Sequence, residues 1–282
     1  MIPEQFAKTP ADDDPRSLTP LICEGLLPLE LPATQRNDLR QRLLRRVGDS
    51  VRRHAGLRTV RAGDGDWRAF KAGIRTKNLW EGAQGASVLI ELAPGTSLPA
   101  HRHHYLEEGI VLRGGLQLGE LALGPGDYQA SPAGSRHARI SSRTGALAYL
   151  RGTSLENTRK ALGERLGGLI PGNGAAKHTV FAGQGDWQRV ASGVEQKILW
   201  RDGDVISCFF RLAAGAHLPA HTHNGDEECI MLSGDAFFGD VLLQAGDFHL
   251  APAGSEHGEA YSEHGALAFI RSRAIPLLSP GR

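Results

Sequence analysis

The sequence predicts an all-β protein of two tandem barrels behind a short helical N-terminal extension. Three observations predict it: a gapless internal repeat, short apolar runs broken by glycine and proline within each copy, and a helical period confined to one segment near the start. The repeat comes first because it fixes the architecture. A shift of 120 residues lays 62–151 on 182–271 with no insertion, and 38 of those 90 positions are identical. AGDGDW (62–67) meets AGQGDW (182–187), LPAHRH (98–103) meets LPAHTH (218–223), and PAGSRH (132–137) meets PAGSEH (252–257). That period is too long for a solenoid unit, so each copy is a whole domain.

Within a copy, SVLIELAPG, GIVLRGG, LQLGELALGPGDYQASPAG and ALAYLRG read as strands punctuated by turn residues. Close, regular spacing of short strands indicates a closed barrel or sandwich rather than βαβ units. The four tryptophans, Trp67, Trp80, Trp187 and Trp200, sit at matched positions and are expected to anchor a core or an interface. The extension spans 1–58, with Asp12, Asp13 and Asp14 and a small apolar patch at 18–31. From Thr34 to Arg53 the pattern turns helical, because Leu39, Leu43, Val47 and Val51 recur every four residues. Seven arginines against two aspartates give this segment +5, which suits a surface helix or an element that docks on a regulatory protein. The expected domains are 59–157 and 158–282, joined by a linker helix within 152–178.

Glycine is abundant at 36 residues, as a turn-rich β chain requires. A net charge of +1 supplies no field that would recruit nucleic acid or a membrane. Cys23, Cys208 and Cys229 are odd in number and form no C-x-x-C pair, so no disulfide framework is expected. MIPEQFAKTPADDD has neither a basic nor an apolar leader region, and no apolar run reaches a membrane span, so a cytoplasmic location is expected.

The chemistry lies in two blocks. Copy one reads Gly95, His101, His103, Glu107 and Gly114, then Gly126, Pro132-Ala-Gly134 and His137. Copy two repeats the spacing at Gly215, His221, His223, Glu227 and Gly234, then Gly246, Pro252-Ala-Gly254 and His257. Side chains at i and i+2 of a strand share a face, so His101 and His103 can reach one ion inside a barrel. Glu107 adds a hard anion from the next strand, and His137 closes the site from a distant one. Six of the twelve histidines fall on this pattern. Imidazoles with one carboxylate suit a divalent ion at each site, zinc first, with manganese, iron or nickel also compatible. Four ligands leave room on a six-coordinate ion for water, oxygen or a chelating substrate. Glu108 and Glu228 follow the two ligand glutamates, and alternation turns them outward, where solvation is expected. His104 and His249 fall near the sites and are expected to lie beside the ligands or on the surface rather than to be ligands themselves.

These blocks resemble the cupin signature, with three histidines and one glutamate in each copy. The resemblance implies two double-stranded β-helix, or jelly-roll, barrels. Many cupins place asparagine four residues beyond the last histidine, where this chain has Ser141 and Tyr261. More narrowly, H-T-H-x-x-x-E-E before an apolar strand and P-A-G-S-x-H downstream resembles the cupin module of ChrR-type anti-sigma factors, over about 59–271. Those regulators join a zinc-dependent sigma-binding domain to a metal cupin that senses oxidative stress. LPATQRNDLRQRLLRRV is similar to the helix that often follows that domain, but its His-x3-Cys-x2-Cys ligands have no match: Cys23 stands alone and no histidine precedes His54.

Alternation also predicts the pocket linings. Arg139 and Ser141 should follow His137 inward, and Glu259 and Tyr261 should follow His257. Counting from the glutamates, Gly109 and Val111 face in, as do Cys229 and Met231. Pocket one should be roomier and cationic, suited to an anionic or enolate oxygen. Pocket two should be acidic and sulfur-lined, with Cys229 open to oxidation near the ion. Two function classes follow. The resemblance favours a regulatory, stress-sensing protein with a sigma factor or other regulator as partner. Two intact sites favour a metal-dependent dioxygenase or related enzyme acting on a small diketone, enol or carboxylic acid. Metal-free sugar isomerase is disfavoured by the full ligand sets. A homodimer paired through edge strands is compatible with either.

Overall fold

In the computed structural model, residues 31–154 and 174–273 are described. Cys23, the acidic run 12–14, nearly all of the 18–31 patch and the middle of the expected linker helix lie outside them. The chain divides into two units, Met1–Arg52 and Arg53–Arg282. The first is represented by the helix Ala33–Arg53, none of whose residues is buried. Leu39, Leu43, Leu44, Val47 and Val51 form its exposed apolar stripe. Among the described residues no helix is long and apolar enough to cross a membrane.

The second unit is built of antiparallel strands. In barrel one, Tyr128–Ser131, Glu107–Gly114, Ala146–Thr153, Gly85–Leu92, Ile74–Gly82 and Trp67–Lys71 lie side by side in that order. A smaller sheet of Ser97–Leu98, Ile140–Ser141, Leu116–Leu118 and Leu121–Leu123 closes against it. Barrel two repeats this with Phe248–Ala251, Glu227–Phe238, Ala266–Arg273, Val205–Leu212, Val194–Asp202 and Gln188–Ala191. Gly114 (φ 74°), which ends Glu107–Gly114, and Gly234 (φ 74°), inside Glu227–Phe238, adopt a positive φ where a Cβ would collide with the carbonyl of Gly145 or Gly265.

The outermost strand of each sheet comes from the other repeat. Arg58–Val60, at the head of copy one, pairs with Phe248–Ala251 of barrel two in the register Thr59↔His249. His178–Val180 pairs reciprocally with Tyr128–Ser131 of barrel one, Gln129↔Thr179. Side chains secure the exchange. Asp247 Oδ1 accepts the amide of Ala62 at 2.8 Å, and Asp127 Oδ1 accepts that of Ala182 at 2.7 Å. The buried Lys77 and Lys197 donate to backbone carbonyls of the same crossing segments. A short strand from each copy thus completes the sheet of the other barrel.

Between the barrels lies a shared core. Leu79, Leu89, Ile110, Tyr128 and Tyr149 pack with Leu199, Phe209, Ile230, Phe248 and Phe269, and all four tryptophans flank the cluster. Two carboxylates are embedded there. Glu108 is 1% exposed, with Arg271 Nη1 of the opposite barrel at 3.0 Å and the Tyr128 hydroxyl donating at 2.6 Å. Glu228 answers it symmetrically, accepting from Arg151 Nε of barrel one at 3.0 Å and from the hydroxyls of Tyr149 and Ser87. Burial and these carboxylates push both phenols well above their ordinary value, so they remain donors. Alternation does turn Glu108 and Glu228 away from their own barrels. The expected solvation is corrected: outward from one barrel is inward to the other.

Candidate metal centres

Each site is assembled at one end of its barrel by a two-stranded ladder and the start of the next long strand. His221–Thr222 pairs with Glu256–His257, which sets His221 directly opposite His257, and Glu227 opens the strand behind them. In barrel one the same ladder sets His101 opposite His137. The three rings of barrel two lie 4.4 to 5.5 Å apart between centroids, and those of barrel one 4.7 to 5.4 Å apart. One ligand atom from each of His221, His223, Glu227 and His257 falls within 4.8 Å of the others. In barrel one that closeness holds for His101, His103 and Glu107, while His137 stands beside them with its Nε2 3.0 Å from Ser131 Oγ.

The surroundings fix which ring nitrogens face the centre. His101 Nδ1 lies 3.1 Å from the Pro99 carbonyl and His221 Nδ1 3.1 Å from that of Pro219, so each Nδ1 carries the proton and each Nε2 keeps its lone pair. His137 Nδ1, His257 Nδ1 and His223 Nε2 are buried without a hydrogen-bond partner. Buried imidazole nitrogens left so are costly unless something coordinates them. A divalent cation fits this set: three neutral nitrogens and one carboxylate, converging and desolvated.

Burial governs the ionisation. It pulls His223 down to about 4 and His257 to about 2, and it holds His137 well below the ordinary imidazole value. It pushes Glu227 up to about 7. Without metal, the depressed histidines cost stability as pH falls below their unfolded value near 6.5, because only the unfolded chain takes up the protons. Glu227 acts oppositely: its burial costs stability as pH rises from its unfolded value near 4.5 through 7. A cation that neutralises Glu227 must displace its proton below pH 7 and need not above it. Zinc affinity at barrel two is therefore expected to rise about tenfold per pH unit toward 7 and then flatten. Chelator competition across pH checks this; a slope that persists in Glu227→Gln assigns the released proton elsewhere.

The pocket linings depart from strict alternation. Gly109 and Val111 line the cavity of barrel one, and Cys229 and Met231 belong to the interior core of barrel two. Arg139 and Glu259, by contrast, are exposed; Arg139 donates to Ser97 Oγ at 2.8 Å, and Glu259 Oε1 lies 3.1 Å from His217 Nδ1. Ser141 and Tyr261 also stay out of the cavities, and Tyr261 stacks on Phe237 with centroids 4.6 Å apart. Ile140 and Ala260 point in instead. The cause is local: Ala138-Arg139 and Gly258-Glu259 leave the extended ladder, so the side-chain phase restarts at the next strand. The expected cationic lining of pocket one and acidic lining of pocket two are both corrected. Cys229 is 1% exposed, and burial, then Glu227, push its thiol well above its ordinary value, which opposes oxidation there.

The cavity of barrel one, about 80 Å³, is bounded by Phe70, Ile90, Leu118 and Leu150 and reaches His101, Glu107 and His137. Its counterpart in barrel two is about 30 Å³. Phe238 stands where barrel one has Leu118, its ring 4.9 Å from that of His257. His104 is exposed against Tyr105, whereas His249 is buried against His257. Sequence reasoning passed over Arg151 and Arg271, although both copies carry them at matched positions.

No curated protein matches the chain. Among solved structures it is similar to a candidate dioxygenase from Nostoc punctiforme PCC 73102, at 14% identity and TM-score 0.59, over 80% of this chain and 87% of that one. It is also similar to the S161A mutant of oxalate decarboxylase OxdC from Bacillus subtilis, at 18% identity and TM-score 0.54, over 76% of each chain. A third is the formate complex of Lactobacillus farciminis oxalate decarboxylase, at 15% identity and TM-score 0.54, over 77% and 86%. At these identities the likeness is one of fold, that of tandem cupins. The profile described as the ChrR cupin-like domain matches residues 56–155 and again 175–276. Both barrels thus match one profile, and the chain belongs to the ChrR cupin-like domain family.

Proposed function

We propose that both barrels hold a divalent metal ion and that barrel one is the reactive centre, an oxygenase-type site for a small acid or enol with an aliphatic body. The observation that carries this reading is the aliphatic cavity of barrel one, which ends on His101, Glu107 and His137. A molecule with one chelating oxygen head and an apolar tail meets the ion at one end and Ile90, Leu118 and Leu150 at the other. The ion supplies Lewis acidity and open coordination positions. His101, His103, Glu107 and His137 hold it, and the apolar wall excludes water.

Protein purified without chelators or a histidine tag is expected to carry about two equivalents of metal by mass spectrometry. Iron or manganese in barrel one, together with oxygen uptake on adding a short branched 2-oxo acid or diketone, supports the enzymatic reading. Two zinc ions and no uptake across such a panel removes it. The second reading, in which a sigma factor or other regulator senses the metal state, rests on family membership and on the unburied apolar stripe of the helix Ala33–Arg53. Zinc in both sites with capture of a sigma factor by the full chain supports that reading.

A further inference from the structure

We infer that His249 is a positioning residue for the second metal centre, and that Thr59, carried in from the other repeat on the exchanged strand, holds it in place. The inference rests on the reading that barrel two binds a metal ion. His257 turns Nδ1 toward Glu227, 3.8 Å from Oε1, and turns Nε2 toward His249 Nε2 at 3.0 Å. His249 Nδ1 in turn lies 2.9 Å from Thr59 Oγ1. His249 is 1% exposed, and its strand register sets it between Cys229 and Thr59. The Phe238 ring lies nearly parallel to it, at 15° and 6.0 Å.

Coordination dictates the proton order along this chain. An ion on His257 Nδ1 needs the lone pair there, so the single proton of the neutral ring sits on Nε2. That N–H donates to His249 Nε2. The proton of His249 is then on Nδ1, where it donates to Thr59 Oγ1. One tautomer of each ring makes both hydrogen bonds, and it is the tautomer in which His257 is ready to coordinate.

Barrel one solves the same problem differently. Gln129 stands at the place of His249 and donates to Thr179 Oγ1 at 3.2 Å. Ser131 receives His137 Nε2 instead, at 3.0 Å. Barrel two has Ala251 at that place, which offers no side-chain acceptor. The two positions differ as a pair, Gln with Ser in one copy and His with Ala in the other. Where the serine is lost, an imidazole two residues earlier supplies the acceptor. An imidazole is the stronger acceptor of the two, so it makes His257 the more basic ligand and barrel two the tighter site.

The test uses zinc alone and the full chain, with barrel two read in a His103→Ala background by chelator competition. His249→Gln, which installs the barrel-one residue, is expected to weaken zinc there about 10- to 100-fold. Adding Ala251→Ser, which completes the barrel-one arrangement, is expected to restore most of that loss. Thr59→Val should weaken barrel two by a smaller factor despite belonging to copy one, whereas Thr179→Val should leave barrel one unchanged when that site is read in a His223→Ala background. A purely structural role would lower thermal stability in His249→Gln without rescue of zinc affinity by Ala251→Ser. Zinc affinity within twofold of the parent in both His249→Gln and Thr59→Val overturns the inference. A parent whose barrel two takes no zinc overturns the metal reading itself, which is a separate result.

Discussion

Arg271→Met is expected to destabilise the folded protein by about 3–5 kcal/mol, the largest effect of any single substitution outside the apolar cores. The wild-type guanidinium lies 3.0 Å from Glu108, and both side chains are almost fully excluded from water. Removing it leaves a buried carboxylate with the Tyr128 hydroxyl as its hydrogen-bond donor and only the field of Arg151 as counter-charge, so that its desolvation is poorly compensated. For a unit of this size the thermal midpoint should fall by roughly 10 °C. The exposed pair Arg211–Glu195 is the control: its side chains are 50% and 36% exposed, and breaking it should cost less than about 1 kcal/mol. Glu108→Gln combined with Arg271→Met should recover much of the loss, since the pair then leaves no buried charge behind. Denaturation of the two single variants, the double variant and the control decides the matter. A loss for Arg271→Met no larger than that of the surface control shows that water reaches Glu108 and that the interlock is not a buried one.

Much of this site could be read from the chain because its determinants are local. His101 opens a two-residue strand, His103 follows directly after it, and Glu107 starts the next strand, so spacing alone carries the convergence. The repeat doubled that evidence at His221, His223 and Glu227. What spacing could not carry is contact between copies. Thr59 reaches His249 across 190 residues, and no periodicity within either repeat announces that their first strands trade places. Glu108 shows the same limit in another form. Alternation gives its direction, but whether outward means solvent or a second barrel depends on how the domains pack. Arg139 failed for a smaller reason, two residues of non-extended chain after His137 that shift every later side chain by one face.

The difference between the pockets leads to the second large effect. Both barrels present the same ligand types, yet one cavity is about 80 Å³ and the other about 30 Å³. Two aromatic replacements add bulk to the smaller one: Phe238 stands at the place of Leu118, and Phe210 at that of Ile90. Phe238 packs against the His257 ring, filling the space where a bound molecule would approach the ion. Leu118→Phe should therefore give barrel one the plug that barrel two already has. In the cobalt-substituted protein, isovalerate is expected to perturb the visible spectrum of the wild type, and more strongly than oxalate, because no arginine or lysine is among the described residues bounding the cavity. Leu118→Phe should weaken that response by about 10- to 100-fold, the equivalent of the 1–3 kcal/mol that overfilling a packed interior typically costs. Metal content should stay at the wild-type level, since Leu118 is not a ligand. Loss of cobalt in Leu118→Phe would mean that the side chain disturbs the ligands rather than the cavity, and Leu118→Met then tests the cavity with less bulk. An isovalerate response of wild-type strength in a cobalt-replete Leu118→Phe protein would place ligand binding outside barrel one. The converse change, Phe238→Leu, should open barrel two and give it the response that its four intact ligands do not by themselves confer.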